Sequence, residues 1–301
     1  MDTDSVYYRQ VELLVRVLPF VAKERCFALR GGTAINLFLR DMPRLSVDID
    51  LIYVPIEDRE TSLTQAEVAL KRIVKNLVNV LPRYNAKLFE GRLKIMVDGG
   101  GFRVKIEASP VMRGTVYEPE DRDIHPVVAN EFGYANTSVV SVPDLYGGKI
   151  CAALDRQHPR DIYDVLLLMS DTGITRKIFE CFLVYLVSHS RPISELLKPN
   201  LLDMGQAFEN TFVGMTKESV DLQTLIQARK DLLKQVQNSF TEPDKQFLMS
   251  VKSRKPDWSL LPIEGIEQLP AIQWKLINLG RMSDHRHDNA LRKLESVLDA
   301  I

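Results

Sequence analysis

The sequence predicts an α+β fold: an N-terminal domain over residues 1–170 with a mixed sheet flanked by helices, then an all-helical C-terminal domain over residues 171–301. Three observations carry this expectation. Strict alternation of apolar and polar residues over 44–51 follows a glycine pair and a short helical pattern. Two more alternating runs, 92–98 and 102–108, flank three consecutive glycines. Beyond Ser170-Asp171-Thr172-Gly173 the apolar residues recur at helical spacing alone.

Taken in order, residues 5–19 place Val11, Leu14, Val15 and Leu18 on one helical face. Residues 26–29 read as a strand leading into Gly31-Gly32-Thr33, ahead of a helical pattern in Ala34, Leu37 and Phe38. In the strand over 44–51, Leu45, Val47, Ile49 and Leu51 point one way, and Arg44, Ser46, Asp48 and Asp50 the other. A helix follows over roughly 62–82, with Leu70, Ile73, Val74, Leu77 and Leu81 facing inward. Gly99-Gly100-Gly101 then turns a hairpin, because a strand rather than a helix follows it. Residues 110–140 look irregular. Residues 141–154 and 160–169 form two helices around His158-Pro159, Ser141 and Asp144 suggesting a capping box. Helical runs over 178–187, 201–213, 222–236, 247–251, 272–279 and 291–298 make up the second half, expected to form one wall of a cleft.

Composition narrows the class. The 301 residues are 45% hydrophobic and 26% charged, which suits a globular chain of two ordinary domains. A net charge of −1, from 39 basic and 40 acidic residues, argues against a protein that coats nucleic acid without specificity, while leaving room for a local basic grip on an RNA end. No run reaches the ~20 apolar residues of a membrane helix, and the acidic start over residues 1–4 lacks a signal-peptide layout. The expected location is the cytoplasm, without membrane association. Cys26, Cys151 and Cys181 are scattered through apolar segments and read as small core residues.

The chemistry concentrates in residues 29–51. Asp48 and Asp50 share one face of a strand, an unfavourable pairing unless a cation lies between them. Gly31-Gly32-Thr33 offers backbone N–H groups at a helix start, with no Cβ in the way at the two glycines, an anion site suited to phosphate. Gly-Gly-Thr, a helix, then Arg-x-Ser-x-Asp-x-Asp resembles the first motif of the polymerase-beta-type nucleotidyltransferase superfamily. Within it the chain is similar to the AbiEii/AbiGii-like toxins, the nucleotidyltransferase half of type IV toxin–antitoxin and phage-exclusion systems. Thr33 stands where many superfamily members carry Ser, and its interval to Asp48 is somewhat long, but the hydroxyl and both carboxylates are retained.

The resemblance implies a third carboxylate on a neighbouring strand. Glu107 is the only acid in the run 102–108, on the face of Arg103 and Lys105; its other reading is a surface carboxylate paired with Lys105. A second signature, Lys149, a loop, then Arg160-Asp161-x-x-Asp164, resembles the later family motifs. Carried over, Lys149 would hold the triphosphate, Asp161 would orient the acceptor or position the lysine, and Asp164 would be structural. The implied mechanism is Mg²⁺-dependent transfer of a nucleoside monophosphate from an NTP: Asp48, Asp50 and Glu107 hold two ions (Mn²⁺ is an alternative), and Gly31, Gly32, Thr33, Ser46 and Lys149 bind the nucleotide, with help from Arg44. The implied acceptor is an RNA, a tRNA 3′ end, whose modification stops translation, and the implied partner is an antitoxin encoded nearby that need not bind stably. Alternatives are transfer of AMP or another nucleotide to a protein hydroxyl and a non-catalytic nucleotide-binding module. Three weaker groupings, Asp121/Asp123/His125, His285/His287 and residues 252–258 with Trp258, read as surface loop, surface helix and turn with a core tryptophan.

Overall fold

In the computed structural model, which describes residues 5–301, the chain forms two compact units. The first comprises Met1–Ser141 and Thr211–Ser219, the second Val142–Asn210 and Val220–Ile301. The acidic start over residues 1–4 lies outside the described residues.

The first unit is built on a seven-stranded mixed sheet of order β3-β4-β5-β2-β1-β7-β6. Its strands are β1 (Phe27–Arg30), β2 (Asp48–Tyr53), β3 (Asn85–Phe89), β4 (Lys94–Gly99), β5 (Phe102–Arg113), β6 (Glu120–Asp123) and β7 (Asn136–Val139). Strand β1 runs antiparallel to β2 and parallel to β7, and β2 runs parallel to β5. Helix α1 (Val6–Ala22) buries Val11, Leu14, Val15 and Leu18, as the periodicity predicts. A second helix begins as α2 (Gly31–Thr33) and continues with π geometry over Ala34–Leu39. Helix α3 (Arg59–Val80) is capped by Asp58, which accepts from the Thr61 N–H, and buries Leu70, Ile73 and Leu77. Gly100 and Gly101 take positive φ between β4 and β5, the expected turn.

Residues 110–140 differ from the irregular reading. Strand β5 extends to Arg113, and β6 and β7 pair antiparallel around helix α4 (Pro126–Phe132). Strand β6 reads Glu-Asp-Arg-Asp, so no apolar alternation marks it. Side chains identify it instead: Arg25 forks onto both Asp121 oxygens at 2.8 Å, and Asp123 accepts from Tyr134 and Asn136. A short, charged edge strand also resists pairing with other chains.

The second unit is helical: α5 (Val142–Arg156), α6 (Pro159–Ser170), α7 (Arg176–Ser188), α8 (Ile193–Leu197), α9 (Gly205–Thr211), α10 (Leu222–Asn238), α11 (Glu242–Lys252), α12 (Pro270–Gly280) and α13 (Asp284–Leu298). The compact units part at Ser141, where the sequence placed a boundary at 170. Helix α5 packs on α7 because Gly147 lets the backbones meet: a Cβ there would stand 2.8 Å from the Phe182 nitrogen. Tyr185 then donates to the buried Asp144 at 2.9 Å. The helix read over 201–213 is confined to α9; Leu201 and Leu202 lie outside it and are exposed. Residues 211–219 instead join the first unit, where Leu45 N–H donates to the Met215 carbonyl and Lys217 N–H to that of Pro43.

Candidate active site

Strand β1 ends at Arg30, and the chain turns at Gly31 with φ +73°. A Cβ at Gly31 would lie 2.8 Å from Asp50 Oδ2. One at Gly32 would lie 2.6 Å from Arg44 Nη2 and 2.9 Å from Ser46 Oγ. The left-handed backbone at Gly31 disfavours any side chain, whereas one at Gly32 would have to displace the Arg44 and Ser46 side chains. The glycine turn rests directly on the Asp50 carboxylate of β2 and on the Arg44 guanidinium, which lies ahead of β2 because the strand read over 44–51 begins only at Asp48. Thr33 is buried, and its hydroxyl donates to the Asp48 carbonyl beside Ser46 Oγ at 3.0 Å. It braces the turn against β2 rather than facing solvent. Asn36 donates to the Gly32 carbonyl at 2.9 Å, and Arg40 N–H to that of Ile35, the i→i−5 bond of a π turn.

The strand register puts Asp48, Asp50 and Glu107 at neighbouring positions of β2 and β5. Across the parallel pair β2/β5, Asp48 stands opposite Lys105 and Asp50 opposite Glu107. Ile49 and Ile106, between them, face the core. Lys105 Nζ lies 2.9 Å from Glu107 Oε2 and 4.0 Å from Asp48 Oδ1. Burial opposes the lysine's charge, but Glu107, Asp48 and Asp50 outweigh it and hold its pKa above the ordinary value. Among the described residues no group of three or more His, Cys, Asp or Glu side chains is gathered as a metal cage; Glu107 is turned to Lys105. Asp48 and Asp50 still offer hard oxygen donors on one face, a set that fits Mg²⁺. Lys105 was readable from the sequence, since it shares the parity of Glu107, but its pairing with β2 was not.

In the second unit, Lys149 on α5 reaches two acids on α6, Asp161 at 3.0 Å and Asp164 at 2.9 Å. Arg156 adds a second cation to Asp161 at 2.8 Å. All but Arg156 are buried. Burial would push the Asp161 carboxyl up, yet Lys149 and Arg156 hold it below the usual carboxylate range. Asp161 thus accepts a hydrogen bond from the lysine ammonium. Asp164, read as structural, grips the same ammonium. Arg156 was missed, because its reach to Asp161 depends on the turn at Gln157, which takes φ +49°.

The weaker groupings resolve as structure. Arg254 donates to the Leu279 and Met282 carbonyls, and Trp258 packs near Phe247. His287, read as surface, is buried with Nε2 2.8 Å from the Lys252 carbonyl, while His285 is exposed. Cys151 and Cys181 are buried, and Cys26 is half-buried with its thiol pushed up to about 11 by burial and Glu24.

A glycine turn seated on paired strand carboxylates within a mixed sheet is the equipment of the nucleotidyltransferases. Residues 12–278 match the family of nucleotidyl transferase AbiEii toxins of type IV toxin–antitoxin systems, and the chain belongs to that family. Among solved structures it is similar to MenT4, a nucleotidyltransferase toxin from Mycobacterium tuberculosis H37Rv, at 12% identity and a TM-score of 0.61, covering 96% of this chain and 93% of that one. This likeness supports the fold. Terminal uridylyl transferase 4 from Trypanosoma brucei with bound dUTP aligns at 13% identity over 97% of this chain and 92% of that one, but with a TM-score of only 0.29. A search of curated proteins returns no match. Among the described residues no helix is long and apolar enough to cross a membrane.

Proposed function

We propose that the protein is a toxin that transfers a nucleoside monophosphate from an NTP to the 3′ end of an RNA, a tRNA, and so blocks translation. The observation that carries this reading is the seating of Gly31 on Asp50: one turn brings phosphate-binding backbone against a cation-binding carboxylate. Asp48 and Asp50 are assigned to hold Mg²⁺, which when bound would activate the attacking hydroxyl and offset charge on the phosphates. The backbone N–H groups at Gly31 and Gly32 would receive the phosphates, with the Arg44 guanidinium beneath Gly32 adding positive charge. Thr33 and Ser46 keep this turn in register with β2. Lys149 and Asp161 are assigned to the same reaction on the family's motif, the lysine for the triphosphate and the acid as its positioning residue. No nucleophilic side chain is needed, since such transfers run on positioning and electrostatics. The proposed partner is a separately encoded antitoxin, and the proposed setting is the cytoplasm.

The test is incubation with Mg²⁺, each α-labelled NTP and total tRNA, with Asp48→Asn as control. Label should enter RNA and fall about 100-fold or more in the variant, which should keep its circular dichroism and melting temperature because a like charge has been removed. Label on protein alone would replace the RNA acceptor with a protein hydroxyl. An Asp48→Asn variant that transfers normally would remove Asp48 from the reaction.

A further inference from the structure

Within the helical unit, residues of α8, α11, α12 and α13 enclose a cleft with about 330 Å³ of empty space, part of it open to solvent. Its walls are mostly apolar, with Val251, Leu279 and Leu294 among them, and its polar side chains are Ser194, Lys252 and Lys275. Among the described residues no carboxylate lines it. Lys252 is only 8% exposed, and among the described residues its ammonium has no hydrogen-bond or ion-pair partner. Lys275 donates to the His189 and Arg191 carbonyls at 2.6 and 3.4 Å, just past the end of α7. We propose that this cleft binds a dianionic phosphate, either inorganic phosphate or the terminal phosphate of a larger molecule, between the Lys252 and Lys275 ammonium groups. The inference stands apart from the transfer reading, since it uses no residue of the glycine turn or of the β2/β5 face.

A buried ammonium without a partner is unfavourable, and a second one nearby makes it worse. Burial pushes both lysines below their ordinary pKa; Arg254 adds to the effect on Lys252, and Lys252 to that on Lys275, which falls to about 8. The acids of these four helices do not relieve them. Glu195 lies 3.6 Å from Arg191 and 3.5 Å from Lys293, Asp244 takes the fork from Arg176, and Asp284 is 3.3 Å from Arg254. Glu242, Asp288 and Glu295 are exposed at the surface. Arg254 is itself drawn onto the Leu279 and Met282 carbonyls. An entering anion therefore meets two ammonium groups, and a dianion balances both. Lysine binds phosphate as a point charge through charge-assisted hydrogen bonds. A phosphodiester carries one charge and a chain on either side, so a walled cleft favours a terminal group. Lys275 also serves as a cap for the end of α7; Lys252 has no such duty, and it decides the test.

The experiment is titration of the full chain with inorganic phosphate, without Mg²⁺ or NTP, by calorimetry and in melting curves, against NaCl at matched ionic strength. The wild type should bind phosphate and melt higher in its presence. Lys252→Met should weaken binding about tenfold or more and lose the phosphate-dependent rise in melting temperature. In phosphate-free buffer it should melt no lower than the wild type, because an unpaired buried charge is gone. Should Lys252→Met fail to fold, Lys252→Gln carries the same expectation for binding. No phosphate binding by the wild type would overturn the proposal, as would binding that persists undiminished without the Lys252 ammonium and so lies elsewhere, at the glycine turn for instance. A folded Lys252→Met that melts well below the wild type without phosphate would make the lysine structural and overturn it too. Competition then names the source of the phosphate. A nucleoside monophosphate that displaces it points to a small molecule, a 5′-phosphorylated oligoribonucleotide to an RNA end, and displacement by neither leaves inorganic phosphate as the ligand. Equal competition by the 5′-hydroxyl oligoribonucleotide would mean that diesters are bound and would overturn the terminal-phosphate assignment.

Discussion

Lys149 sits between two acids that water does not reach, and this governs what its replacement does. Lys149→Met removes the ammonium that Asp161 and Asp164 share and leaves both acids buried, with Arg156 still on Asp161. Breaking such a pair from one side costs about 3–5 kcal/mol, a drop that urea unfolding should read directly. Adding Asp164→Leu removes one of the two buried negative charges and should recover much of the loss. Transfer activity separates the lysine's roles: if Lys149 contacts the triphosphate, the double variant stays inactive despite its restored stability. Recovered activity would make the lysine purely structural. At this scale the sequence showed the right residue types, since Lys149, Asp161 and Asp164 were singled out by motif, whereas Arg156 entered only through the fold.

The helix α5 owes its place to one residue without a side chain. Gly147 meets Cys181 Cβ and the Phe182 nitrogen at distances that leave no room for a methyl group. Gly147→Ala should therefore destabilise the second unit by about 1–3 kcal/mol despite alanine's better helix propensity, visible as a lower melting temperature. A neutral or stabilising result would mean that α5 and α7 can slide apart at no cost. The contrast with Gly100 and Gly101 is instructive, as a Cβ at either meets nothing and only their positive φ constrains them. Sequence periodicity identified α1, α3, α7 and α10 because each buries a continuous apolar stripe. It missed β3, whose residues are exposed or half-buried, and β6, which is wholly charged.

Across the whole molecule, buried acids set the response to pH. Asp161 and Asp244 are both buried. For Asp244, burial raises the carboxyl, but the fork from Arg176 at 2.8 and 2.7 Å and the cap from Thr241 hold it below the ordinary value. Groups depressed in the folded state stabilise it above their unfolded pKa of about 3.9, and that stability is lost as pH falls through the folded values. The contribution of these two acids should thus be level from neutral pH down to about 4 and fall below it, while His189, held below its ordinary value by burial, already costs stability as pH falls below about 6.5. Asp244→Asn should flatten part of that acid limb, measured by urea unfolding at a series of pH values. The exposed pairs Arg25–Asp121 and Lys71–Glu67 should add little, because solvent and salt screen them.

The sequence by itself determined the local chemistry of this protein: the glycine turn, the strand parity of Asp48, Asp50 and Glu107, and the lysine and acids of α5 and α6. These follow from short-range geometry, where periods of two and 3.6 residues dictate which side chains share a face. The tertiary structure alone decided which faces meet. Only the parallel register of β2 and β5 sets Lys105 beside Asp48, only the turn at Gly31 lays backbone on Asp50, and only packing of α5 on α7 and of α6 on α10 builds the helical unit. Each depends on contacts between residues far apart in the chain, and those are fixed by burial and close approach rather than by any local pattern.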